Sequence, residues 1–159
     1  MMPYSFDPAP LQYHALAPNF SLEAASGQTV TRSQFRNRHG LTLLFLQPTP
    51  EAIALLEQIG QDEAEYLELN ARVIGIIRVE REALAALAAR LNPFIMLLAD
   101  PEGTAWKAYT GTDRTGFAIF ILDMYGGVDS QQVTASLGAL PDAVEILEWM
   151  RATQYRCNI

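Results

Sequence analysis

An α/β domain, with a mixed central sheet, helices on both faces and an N-terminal β-hairpin, is the architecture that three features of the chain point to. Apolar runs of strand length alternate with segments of helical period between residues 41 and 99, the pattern of parallel strands joined by crossovers. Shorter strand pairs on either side of that block are each closed by a turn and read as hairpins. The chain has 159 residues, half of them hydrophobic and 18% charged. That is enough for one core without disulfide or metal staples, and too apolar for a disordered segment.

Residues 1–16 carry Pro3, Pro8 and Pro10, with Pro18 close behind. Proline fixes φ and removes a backbone donor, so an extended arm is expected there and a single domain over residues 17–159. The arm's Tyr4, Phe6 and Tyr13 are placed to tie it to that domain or to a second copy. Phe20-Ser21-Leu22-Glu23-Ala24 alternates as a half-buried strand does, Ser26-Gly27-Gln28 supplies a turn, and Thr29-Val30-Thr31 returns. Ser33-Gln34-Phe35 opens a short helical turn. Leu41-Thr42-Leu43-Leu44-Phe45-Leu46 is the nearly continuous apolar run of a strand covered on both faces.

Thr49 suits a helix N-cap, Pro50 the first helical position, and Glu51 the positive end of the helix dipole. Ala52, Leu55, Leu56 and Ile59 fall on one helical face before Gly60 interrupts. A further helical stretch through Tyr66, Leu67 and Leu69 ends at Asn70. Residues 73–77 and 94–99 are two more buried strands. Between them residues 82–91 form a helix with Leu84, Leu87, Ala88 and Leu91 inward. Asp100-Pro101-Glu102-Gly103 is a turn, followed by a helical turn that packs Trp106 and Tyr109. Residues 117–122 form a strand that turns through 123–127 into an antiparallel edge strand over 128–133. A last helix runs from Pro141 to about residue 153, burying Ala143, Ile146, Leu147 and Met150, with Cys157 beyond it.

Composition excludes several function classes. Eleven Lys and Arg against eighteen Asp and Glu give a net charge of −7, the wrong sign for tracking a phosphate backbone, so no nucleic-acid partner is expected. The longest apolar runs are about six residues, where a membrane span needs ~20. The first residues lack a charged-then-apolar signal pattern, so a cytoplasmic protein without membrane association is expected. A single cysteine, Cys157, excludes an intrachain disulfide and any Cys-x-x-Cys site. His14 and His39 have no ligand-spaced neighbours, so neither a metal nor another cofactor is expected. Asp100 and Asp123 open turns, and Gly126-Gly127 forms no phosphate cradle.

Four stretches carry a family resemblance. Ala17-Pro18-Asn19-Phe20-Ser21-Leu22 with Gly27-Gln28-Thr29-Val30 and Phe35-Arg36 is the first, and Leu43-Leu44-Phe45-Leu46-Gln47-Pro48 the second. Asp100-Pro101-Glu102-Gly103 with Trp106-Lys107-Ala108-Tyr109 and Phe120-Ile121-Leu122-Asp123-Met124-Tyr125-Gly126 complete the set. In this order and spacing, over roughly residues 17–150, the chain resembles the peroxiredoxin (AhpC/TSA, redoxin) branch of the thioredoxin-like superfamily. The resemblance implies a thioredoxin-like fold, an antioxidant activity of thiol-dependent peroxide reduction, and a homodimer.

It also implies a reactive cysteine in the first turn of the helix after the Leu43–Leu46 strand, within Pro-x-x-x-Thr/Ser-x-x-Cys. A thiolate is the nucleophile, and a helix N-terminus with a nearby Arg favours it. Counting from Pro48 places Ala52 at the hydroxyl and Leu55 at the thiol. In a shortened register, Thr49-Pro50-Glu51-Ala52 matches Thr-Pro-x-Cys and Ala52 takes the thiol position. Neither register supplies sulfur. The family's supporting Arg is replaced by Phe117, with Arg114 three residues earlier, and Glu51 would raise the pKa of a neighbouring thiol. The pocket implied by resemblance is therefore Pro48, Thr49, Ala52, Arg114 and Phe117, and the expected function is a binding or association module without peroxidase activity. The alternative is a thiol–disulfide oxidoreductase in which Cys157, beside Arg151 and Arg156, exchanges with a partner thiol.

Overall fold

The alternating segment after the arm forms a hairpin. β1 (Ser21–Ala24) and β2 (Thr29–Thr31) pair antiparallel, Leu22 opposite Val30. This is a computed structural model, which describes the backbone of residues 10–157 and the side chains of residues 10–156. A 3-10 turn, Arg32–Phe35, leads into β3 (Gly40–Leu46), buried along its whole length. Then follow α1 (Pro50–Gly60), α2 (Glu63–Glu68), β4 (Ala71–Ile77), α3 (Arg81–Ala88) and β5 (Ile95–Ala99). The chain closes with α4 (Thr104–Thr110), β6 (Phe117–Leu122), β7 (Val128–Thr134) and α5 (Ala143–Cys157).

The strands form one seven-stranded sheet in the order β2-β1-β5-β4-β3-β6-β7. β3, β4 and β5 run parallel, as their helical crossovers require, with Leu44 opposite Gly75 and Gly75 opposite Leu97. β1 pairs antiparallel with β5, and β6 is antiparallel to both β3 and β7. The sheet is mixed because its outer strands return through short turns.

Alternation along β3 sends side chains into two cores. Leu44 and Leu46 join Ile53, Leu56 and Ile59 of α1, Tyr66 of α2, Leu84 of α3 and Ile146 and Met150 of α5. Leu43 and Phe45 face the other side, with Trp106 and Tyr109 of α4, Phe120 and Phe20. There Tyr109 lies 5.2 Å from the Phe45 ring and 5.1 Å from Phe120. Helices thus cover both faces, as expected from sequence.

The helices differ from the sequence reading in detail. The buried stripe of α1 is Ala52, Ile53, Leu56 and Ile59, with Leu55 only half-buried, because a helix wedged between sheet and α5 buries a wider arc than one face. α3 stops at Ala88, and Leu91 is buried after its end. α5 continues past residue 153 through Cys157, so Cys157 belongs to the helix rather than to a tail beyond it. Tertiary bonds hold that last turn: Thr153 Oγ1 donates to Asp129 Oδ2 at 2.5 Å, Gln154 Nε2 donates to the Leu69 carbonyl at 2.8 Å, and Arg156 pairs with Asp129.

The described part of the arm runs along the outer edge of β7. Leu11 exchanges hydrogen bonds with the Gln131 side chain at 3.1 and 2.7 Å, and His14 N–H donates to Val128 O at 2.8 Å. Tyr4 and Phe6 lie outside the described residues. No helix among the described residues is long and apolar enough to cross a membrane.

Candidate functional site

The C-terminal ends of β3, β4 and β5 meet at one end of the sheet. From there α1 and α3 leave over one face and α4 over the other. Such an end is where open α/β sheets hold ligands. Only residues 47–49 separate β3 from α1. Thr49 is extended (φ −98°, ψ 155°), its Oγ1 accepts from the Ala52 N–H at 3.1 Å, and Pro50 takes the first helical position. The loop is therefore short, and the register matching Thr49-Pro50-Glu51-Ala52 places Ala52 in the first turn, with Leu55 in the second.

Ala52 is fully buried and packs in the same cluster as Leu46 and Ile53. A side chain at this position faces packed core. The Thr49 hydroxyl is already committed to capping.

Gln47 Nε2 donates to the Gly116 carbonyl at 3.1 Å, drawing the loop against the start of β6. Phe117, half-buried, packs onto the cluster that contains Ala52. The structure thus brings Thr49, Ala52 and Phe117 to one end of the sheet, with Pro48 exposed between strand and helix. Arg114 precedes β6; its carbonyl accepts from Trp106 Nε1 at 3.0 Å, its N–H donates to Thr112 Oγ1 at 3.1 Å, and the residue is exposed. Cys157 lies elsewhere. Gln154, one turn before it, bonds the Leu69 carbonyl next to the start of β4, at the opposite end of the sheet. The Cys157 side chain is outside the described residues.

Sequence reasoning missed Gln47 and Arg78 at this end, and read Asp100 as a turn opener and Trp106 as a packed aromatic. With Phe45, Leu46 and Ile76 they line a cavity of about 10 Å³, close to the space one water needs. Asp100 is buried, its Oδ1 accepting from Ala105 N–H at 3.2 Å and its Oδ2 from Trp106 N–H at 2.9 Å. Arg78 donates from Nε to Pro101 O at 3.2 Å and from Nη2 to Glu102 O at 3.4 Å, lying against Gly103, whose φ is 74°. The signal for both was position: each immediately follows a parallel strand. Their bonds go to turn and helix backbone, so they brace the site's walls. Among the described residues no group of three His, Cys, Asp or Glu side chains is placed to hold a metal ion.

A model of the AhpC/TSA family matches residues 14–144. The chain belongs to the AhpC/TSA family. It is thus a member of the peroxiredoxin-like family that the four sequence stretches resemble. No curated protein matches it. Among solved structures it is similar to peroxidoxin BcpB from Mycobacterium tuberculosis, at 18% identity and TM-score 0.75, over 89% of this chain and 97% of that one. A peroxiredoxin-like protein from Aquifex aeolicus matches at 14% identity and TM-score 0.76, over 94% and 91% of the two chains. The reduced 2-Cys peroxiredoxin of Plasmodium vivax matches at 22% identity and TM-score 0.78, over 94% and 85%. At these identities the likeness establishes the thioredoxin-like fold. This AhpC/TSA chain has one cysteine, and it is not in the loop or first turn after β3.

Proposed function

We propose that this AhpC/TSA chain is a cytoplasmic, homodimeric binding or association module without peroxidase activity. The observation that carries the reading is Ala52. In the shorter of the two registers that the resemblance allows, it stands where the reactive thiol would, and it is fully buried. A second support is the neighbouring chemistry: the Thr49 hydroxyl serves as helix cap, and Phe117 stands where the resemblance puts an Arg. A peroxide needs a thiolate to attack and donors to hold it, and this end of the sheet offers the first nowhere.

Peroxide consumption with a dithiol reductant tests the reading. Wild type and Cys157→Ser are expected to match the protein-free rate. Turnover by wild type that Cys157→Ser abolishes overturns it in favour of thiol exchange through Cys157. Sedimentation equilibrium tests the assembly, with a dimer mass expected and a monomer at all concentrations contradicting it.

A further inference from the structure

At the end of the sheet opposite Ala52, the turn that leads into β3 is strongly basic. Arg32, Arg36 and Arg38, three of the eleven Lys and Arg residues, fall within seven positions, and no Asp or Glu occurs between Glu23 and Glu51. Among the described residues Arg81, Lys107, Arg151 and Arg156 have carboxylate partners, and these three arginines have none. Arg36 and Arg38 are exposed. Arg32 is only 4% exposed, yet its Nε and Nη1 have no hydrogen-bond partner among the described residues. A guanidinium stays charged at any ordinary pH, and burying one without an anion is costly.

The surroundings give this end its shape. Asn37 N–H donates to Met124 O at 2.6 Å, setting the arginine turn beside the turn of residues 123–127. Gly126, at φ 87°, leaves room for Arg32: a Cβ there would sit 3.0 Å from Arg32 Nη1 and 2.8 Å from Leu16 Cδ1. The carboxylate in that turn, Asp123, uses Oδ1 to accept from the Tyr125 and Gly127 N–H groups. Leu16 and Tyr125 are about half exposed on the same side (51% and 53%).

We propose that this end of the domain docks an acidic segment of a partner protein, one carboxylate pairing with Arg32 once the exposed Leu16 side chain swings aside, others meeting Arg36 and Arg38. An apolar residue between those carboxylates packs on Leu16 and Tyr125. Charge complementarity selects this occupant, since these three cations have no carboxylate partner among the described residues, on a chain whose net charge is −7. The inference goes beyond the loss of peroxidase activity and does not depend on it.

Calorimetric titration with an acetylated, amidated (Glu-Phe)4 peptide tests it on the full chain. Binding is expected to weaken with added salt, and at least tenfold in Arg32→Leu, in the exposed pair Arg36→Glu/Arg38→Glu, and when (Gln-Phe)4 replaces the probe. The pair of surface changes keeps the test valid if Arg32→Leu alters folding. Equal binding of both peptides, no binding of either, or unchanged affinity in the variants overturns the proposal. Tighter binding to a twelve-residue oligothymidylate or to phosphatidylserine vesicles also overturns it, reassigning the cations to a phosphate surface.

Discussion

At the scale of single residues, Thr49 does local structural work. Its cap on the Ala52 N–H predicts that Thr49→Ala lowers stability by about 1 kcal/mol and leaves peroxide handling unchanged, measurable by urea denaturation. Gly116 is more demanding, because a Cβ there would approach the Thr134 carbonyl to 2.5 Å and the Trp106 ring to 3.3 Å. Backbone cannot step aside, so Gly116→Ala should cost roughly 1–3 kcal/mol, seen as a lower urea midpoint at unchanged slope. Burial pushes the Tyr66 and Tyr109 phenols up; Asp62 adds to the shift at Tyr66, and the Arg32 charge opposes it at Tyr109. The folded state holds those protons where the unfolded chain releases them, so stability is complete below about pH 10 and falls as pH rises further. Denaturation midpoints from pH 8 to 11 should fall less steeply in the double variant Tyr66→Phe/Tyr109→Phe. At neutral pH the single changes should part ways. Tyr109→Phe loses the 2.6 Å bond to Pro18 O and should cost about 0.5–1.5 kcal/mol, whereas Tyr66→Phe removes an unpartnered hydroxyl and should cost little or stabilise.

At the scale of elements, the strands were legible where both faces are apolar. Residues 41–46 and 117–122 form buried runs too short for buried helices and bounded by turn residues, and the structure adds at most one residue to either. The helix ends were less legible because tertiary bonds decide them. The helical period of residues 82–91 continues to Leu91, yet Arg90 and Leu91 donate three residues back, to Leu87 and Ala88. Asn92 then fastens the chain to Gly60 O at 3.1 Å and Glu63 Oε1 at 2.8 Å. α5 shows the converse, extended because Thr153 and Gln154 find partners on β7 and beside β4. The buried Met150 lies against Gly40 and takes a contact from Thr42 Oγ1 at 3.5 Å. Met150→Ala should therefore cost about 2–5 kcal/mol, measured by thermal melts, and loosen the α5 contact with β3.

At the scale of the whole molecule, the two ends of the sheet have different characters. The end at β3, β4 and β5 keeps the family's architecture, and its lack of a reactive thiol was legible from one cysteine at position 157. Its closure was not legible, because the burial of Ala52 and the bracing by Arg78 and Asp100 depend on elements far apart in sequence. The burial of Arg32 at the other end carried no sequence signal. Arg32 sits in a polar stretch, where a charged side chain is ordinarily solvated, and only the approach of Gly126 and the arm reveals its burial. Loss of sulfur and closure of the site are separable, and the account rests on both. The double variant Ala52→Cys/Cys157→Ser, with a thiol only at the position the shorter register assigns, separates them. Closure predicts that this thiol alkylates only on unfolding and consumes no peroxide with a dithiol reductant. Native alkylation at or above the free-thiol rate, together with peroxide turnover, would contradict the account by showing a working site that lacks only its sulfur.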